Sequence, residues 1–210
     1  MDTAVETIEH AGLTITIHYD ADNSNNPRDW DNLGHMVCWH RGYDLGDETI
    51  STEGYSIHDD IIDDFQHAPY RNIVIPLYLY EHSGVTMRAG ASNPFSCPWD
   101  SGQVGYIYTT DEKIRHMMGD TPISDDEIRT QLLGEVETYD YYLRGEVYGY
   151  VIASPDDDNL DSCWGFVGDI AYCIEAAKES ADYFAQKLKD DAETEAQEAD
   201  YWARRGVPTV

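Results

Sequence analysis

Four blocks in which tryptophan and glycine stand beside cysteine, aspartate and histidine fix where this chain must turn and pack. They are NPRDWDNLG (26–34) running into MVCWHR (36–41), FSCPWDSGQVG (95–105), GEVETYDYYLRGEVYGY (134–150) and DSCWGFVG (161–168). Glycine gives up more backbone entropy on folding than any other residue, so it marks tight turns or close approach of another group. Three of the four cysteines and four of the five tryptophans fall inside these blocks. A functional site, if the chain has one, is expected there.

Between the blocks, hydrophobic periodicity assigns the elements. Leu13–Tyr19 (LTITIHY) alternates apolar and polar residues and predicts a strand with Leu13, Ile15 and Ile17 inward. Strands are also expected at 36–40, 72–80, 104–109, 146–153 and 162–167. Pro76 removes a ladder donor from the second of these, 72–80, which places it at an edge or a bulge. Residues 57–65 carry Ile57, Ile61, Ile62 and Phe65 at helical spacing and predict a short amphipathic helix. Another short helix is expected at 110–118. Ser124 and Glu127 form a capping-box pattern that opens a helix reaching about Leu143, with Gly145 as its stop. Asp169 is the expected N-cap of the last helix, whose stripe is Ile170, Cys173, Ile174, Ala177, Phe184 and Leu188. Loops are expected at 44–53 and 88–94. Strands and helices interleave without regular βαβ alternation. The expected class is therefore α+β, a mostly antiparallel sheet with two long helices, the last C-terminal and acidic. Residues 1–189 are taken as a single domain. Residues 190–210, where six acids from Asp190 to Asp200 meet no base, are taken as an acidic helical extension or frayed tail.

The net charge of −28 has two readings, a hydrated surface adapted to high salt or an acidic face that engages a basic partner. Only 4 of the 13 basic residues are lysines, aspartate outnumbers glutamate 26 to 15, and the acids are dispersed. Dispersed acid with scarce lysine favours salt adaptation. No basic stripe is visible, so direct nucleic-acid binding through phosphates is not expected. No apolar run is long enough for a transmembrane helix, and the first residues lack the pattern of a secretory signal. A soluble, cytoplasmic protein is expected. Cys38, Cys97, Cys163 and Cys173 form no CxxC pair and are expected as free thiols.

Two kinds of chemistry fit the blocks. In the enzymatic one, Cys97 or Cys163 is the nucleophile and His40 or His82 the base. Asp100 or Asp161 orients the imidazole, and the backbone at Gly102 or Gly165 meets an oxyanion. Against it, cysteines flanked by aromatics are commonly packed thiols, and WDSG is ordinary turn chemistry. In the second, Trp30, Trp39, Trp99 and Trp164, with Asp161, form a binding surface, since tryptophan is enriched at interface hot spots. The tyrosines at 139–150 fit either packing or binding. A metal reading on Asp29, Asp31, His35 and His40, or on residues 156–158, is weaker than capping and turn roles for the same residues. Neither a metal nor a cofactor is expected.

Taken together the blocks resemble a family of uncharacterised proteins from bacteriophages, prophages and their bacterial hosts. The matching segments are 27–34, 36–41, 80–84, 95–108, 134–149 and 161–166, so the resemblance spans roughly 13–168. It departs at Glu81, where the family pattern has aspartate, and at Gly42, where a second basic residue is the pattern. The resemblance implies a viral or mobile-element accessory protein. Joined to the salt-adapted composition, it implies a virus or provirus of a halophilic archaeon. It implies no reaction. The expected function is binding of a host or viral protein partner, with a small Cys/His/Asp hydrolase-like enzyme and a virion component as alternatives.

Overall fold

The computed structural model describes residues 4–22, 25–50, 73–119 and 121–205. The class is α+β. The chain divides into two compact units, the first built from Met1–Ala21 with Val147–Val210 and the second from Asp22–Glu146. Residues 1–189, taken from sequence as one domain, contribute to both. The helix expected at 57–65 lies outside the described residues.

The first unit is a four-stranded antiparallel sheet with a helix on one face. Its strands are β1 (Glu6–His10), β2 (Leu13–Tyr19), β8 (Val147–Ala153) and β9 (Asp161–Val167), in the order β1-β2-β8-β9. β1 and β2 join through the two-residue turn Ala11-Gly12, both at positive φ, the geometry that matches strand twist in a hairpin. The alternation read in β2 holds: Leu13, Ile15 and Ile17 are buried, and Tyr148, Tyr150 and Ile152 of β8 join them. Helix α3 (Ile170–Arg204) lays Cys173, Ala177, Ala181 and Ala185 on this layer. Small side chains every fourth residue leave room for the tyrosines of β8. Asp169 caps the helix by accepting from Ala171 N–H at 2.9 Å. Beyond Ala185 the helix runs on through the acidic segment to Arg204, its side chains from Gln186 onward exposed.

The second unit holds a five-stranded mixed sheet ordered β4-β3-β7-β5-β6. Its members are β3 (His35–Cys38), β4 (Glu48–Thr49), β5 (Val74–Glu81), β6 (Val85–Ala89) and β7 (Ser101–Tyr108). Pairing is antiparallel except between β3 and β4. Pro76 pairs with Tyr106 of β7 just past the end of the β6 ladder, where Gly90 N–H donates to its carbonyl at 3.0 Å, and a bulge follows between Leu77 and Tyr78. The segment 88–94, expected as loop, begins instead in β6, and β4 interrupts the expected loop at 44–53. Helices α1 (Asp111–Met118) and α2 (Asp125–Leu143) complete the unit. The capping box of α2 forms: Ser124 N–H donates to Glu127 at 2.8 Å, and Ser124 Oγ accepts from Glu127 N–H at 3.3 Å. Gly145 ends that helix region at φ 72°. One face of α2, with Ile128, Leu132, Val136 and Tyr139, is buried against Met36, Leu77, Met87 and Ile107 of the sheet.

Candidate functional site

Arg28 organises the first tryptophan block. A single 3-10 turn at Pro27–Asp29, held by Asn26 accepting from Arg28 N–H at 3.0 Å, delivers the Arg28 side chain inward to 2% exposure. Its guanidinium forks onto Asp47 at 2.6 and 3.1 Å, reaches Glu135 at 3.4 Å and donates to the Gly34 carbonyl at 2.7 Å. Glu135 also accepts from Leu33 N–H at 2.7 Å and Gly34 N–H at 3.0 Å. Burial pushes the Glu135 carboxyl up, against the pull of those two amides and of Arg28. A buried arginine held by two carboxylates and a backbone carbonyl fixes the path of the loop. Beside it opens a pocket of about 370 Å³, with Trp30, His35, Tyr108 and Lys113 among its lining residues. Asp31 at its edge pairs with Lys113 at 2.8 Å, which holds the Asp31 carboxyl below the usual range. His35 lies near Asp47 and Glu48, at 3.7 and 3.5 Å.

The other tryptophans part company. Trp39 is buried against Tyr106, ring centroids 5.7 Å apart. Trp164 lies across Gly149, where an added Cβ would stand 2.2 Å from the indole, so glycine is what lets that ring lie on the sheet. His18 flanks it at 6.1 Å. Trp99 sits on a turn and is 91% exposed.

The cysteines divide in the same way. Burial pushes the Cys38 and Cys173 thiols up to about 12, which removes both as nucleophiles at neutral pH. Cys163 is exposed on β9. Its neighbour Asp161 accepts from Ser180 Oγ at 2.5 Å and from the Tyr150 hydroxyl at 3.3 Å. Both belong to the first unit. Cys97, Asp100, His82 and His40 belong to the second.

Within the second unit three segments converge at one end of the sheet. The Cys97 thiol donates to Asp100 Oδ2 at 3.2 Å, and His82 Nδ1 stands 3.5 Å from the same oxygen. His40 turns elsewhere, to Glu81 at 3.7 Å and a stack on Tyr43. Tyr43 donates to Glu81 at 3.1 Å, and that carboxylate holds the phenol above its usual range. In a nucleophilic triad the imidazole stands between nucleophile and acid. Here the carboxylate takes the middle place, so the thiol proton is directed to Asp100 and not to an imidazole. The same contacts close a tight loop. Asn93 accepts from Phe95 N–H and donates to Ser101 Oγ, both at 3.0 Å. Ser101 donates to the Cys97 carbonyl at 2.6 Å, and Glu81 N–H donates to the Asp100 carbonyl at 2.8 Å. Tyr80 stacks on Phe95 with centroids 5.4 Å apart. This framework carries Trp99. Tyr43, Tyr80 and Glu81 were not among the sequence candidates for the site. Glu81 stood out only as a departure from a pattern.

Among the described residues no helix is long and apolar enough to cross a membrane, and no group of three or more His, Cys, Asp or Glu side chains is placed to hold a metal ion. Comparison with protein-family models, curated proteins and solved structures returns no match.

Proposed function

We propose that the protein is an accessory protein of viral or mobile-element type that acts by binding a protein partner in the cytoplasm of a salt-adapted host, not by catalysis. The observation that supports this most is the Trp99 loop. An indole left 91% exposed carries a hydration cost that folding does nothing to relieve. The loop beneath it is held by hydrogen bonds from Asn93, Cys97 and Ser101. A rigid support of this kind lowers the ordering cost of an encounter. On this reading Cys97 is a closing bond of the loop, and its context with Asp100 and His82 is explained without turnover.

The test is affinity capture from host cytosol with wild-type, Trp99→Ala and Cys97→Ser baits, followed by calorimetry with the purified partner. A central tryptophan anchor contributes about 2 kcal/mol or more, so Trp99→Ala should weaken the complex roughly 30-fold. Cys97→Ser keeps a donor for Asp100 and should bind within about twofold of wild type. A partner held equally well by Trp99→Ala sinks the reading. So does a turnover activity that Cys97→Ser abolishes while the fold persists.

A further inference from the structure

We infer that the Trp99 loop receives an arginine-bearing basic segment of the partner, the indole taking the guanidinium on its face and Glu81 and Asp100 taking its charge. This rests on the binding reading above and adds to it the chemistry of what is bound.

The argument is one of charge complementarity around an exposed ring. The Glu81 and Asp100 side chains are 51% and 37% exposed. Their contacts are the Tyr43 hydroxyl, the Cys97 thiol and the imidazoles of His40 and His82. Among the described residues no arginine or lysine pairs with either. Elsewhere in the second unit the cations Arg28, Arg88, Lys113 and Arg144 are held by Asp31, Asp47, Glu135, Asp140 and Glu146. Those four cations are thus engaged by other carboxylates, while Asp100 directly follows Trp99, the most exposed large hydrophobic side chain among the described residues, and Glu81 N–H bonds to the Asp100 carbonyl. Among the described residues, the segments that meet here carry Asp44, Glu81 and Asp100 against one full cation, Arg41.

A cation over an indole gains from the ring quadrupole, and tryptophan is the best of the aromatic partners. Arginine fits better than lysine, because its planar group stacks on the ring while its edge donates to carboxylates in a fork. A second copy of the chain is disfavoured by the net charge of −28 on each molecule, and phosphate backbones are disfavoured by the same charge.

The experiment uses the full chain with fluorescein-labelled octa-arginine, octa-lysine and octa-glutamate, read by anisotropy at low and high salt. The Trp99 indole N–H signal is followed by NMR, and the sedimentation of the chain alone is measured. Octa-arginine should bind saturably and more tightly than octa-lysine, should shift the Trp99 signal, and octa-glutamate should not bind. Trp99→Ala, Trp99→Phe and Glu81→Gln test the site, and Glu198→Gln, on the exposed part of α3, controls for charge alone. Trp99→Ala and Glu81→Gln should each weaken octa-arginine at least fivefold, Trp99→Phe by less, and Glu198→Gln by less than twofold. Absence of binding, equal binding by Trp99→Ala, or equal losses from Glu81→Gln and Glu198→Gln overturns the inference. A dimer that Trp99→Ala dissociates also overturns it, by giving the surface to a second copy. If a captured partner needs Trp99 while octa-arginine does not, this inference falls and the binding reading stands. If neither needs Trp99, both fall.

Discussion

Asp140 offers the sharpest test of what holds the second unit together. Its side chain is 1% exposed on α2, facing β6. It accepts from Met87 N–H at 2.7 Å, pairs with Arg88, and meets Arg144 Nε at 3.0 Å one turn on. Asp140→Ala strands a buried amide, which costs about 1–3 kcal/mol. It also loses two ion pairs whose arginine ends are 45% and 32% exposed. After solvent screening each is worth about 0.5–1 kcal/mol. Alanine returns roughly 0.5 kcal/mol of helix propensity. The net expectation is a loss of about 3 kcal/mol. Asp140→Asn keeps an acceptor for Met87 and gives up the charge, so it should cost about 1–2 kcal/mol. The assay is urea unfolding followed by circular dichroism, with hydrogen exchange at the Met87 amide as the local probe. The part due to ion pairs should shrink in high salt, and the part due to the stranded amide should not. Equal losses for alanine and asparagine, or an alanine loss below about 1 kcal/mol, would refute the reasoning.

Two further outcomes follow from the geometry. Gly149→Ala places a Cβ 2.2 Å from the Trp164 ring and should destabilise the first unit by about 1–3 kcal/mol. In a Trp164→Ala background the same change should be nearly neutral, and a double-mutant cycle showing no coupling would count against the contact. At pH 8, Ellman's reagent should reach Cys97 and Cys163 in the folded protein and Cys38 and Cys173 only on unfolding. The latter two are raised to about 12, so their thiolate fraction there is on the order of 10⁻⁴ and grows only as pH climbs toward that value. Native modification of Cys38 at the rate of Cys97 would contradict its burial.

The elements that sequence located well are those in which local chemistry and burial agree. β2 alternates strictly, α2 opens on a capping box and closes near Gly145, and α3 starts at Asp169. β1 was not foreseen, because ETIEH is a charged edge whose strand state comes from pairing with β2 and not from burial. β6 was hidden by the Gly, Ser, Asn and Pro that follow it. Arg28 passed unnoticed because no local signal says that an arginine will be buried. Its partners Asp47 and Glu135 lie 19 and 107 residues away. Trp39 and Trp99 occupy similar motif contexts with opposite fates. One follows β3 and meets Tyr106, and the other rides a turn with nothing above it. Sequence offered Cys97 or Cys163, His40 or His82, and Asp100 or Asp161, with the imidazole in the middle; Cys97, Asp100 and His82 come together with the carboxylate in that place. That the carboxylate stands between the thiol and the imidazole is set by the closure of two loops.

The first unit is assembled from stretches of chain that are far apart in time. Asp20 N–H bonds to the Val147 carbonyl at 2.8 Å, so β2 and β8 meet as the arms of a hairpin would. The 125 residues of Asp22–Glu146 stand where its turn would be. On a ribosome adding about 5–20 residues per second, β2 leaves the tunnel roughly 6–25 seconds before β8 does. Through that interval Ile15 and Ile17 have no layer to cover them, and one edge of the nascent strand is open to any other extended chain nearby. The second unit, contiguous in sequence, is under no such delay.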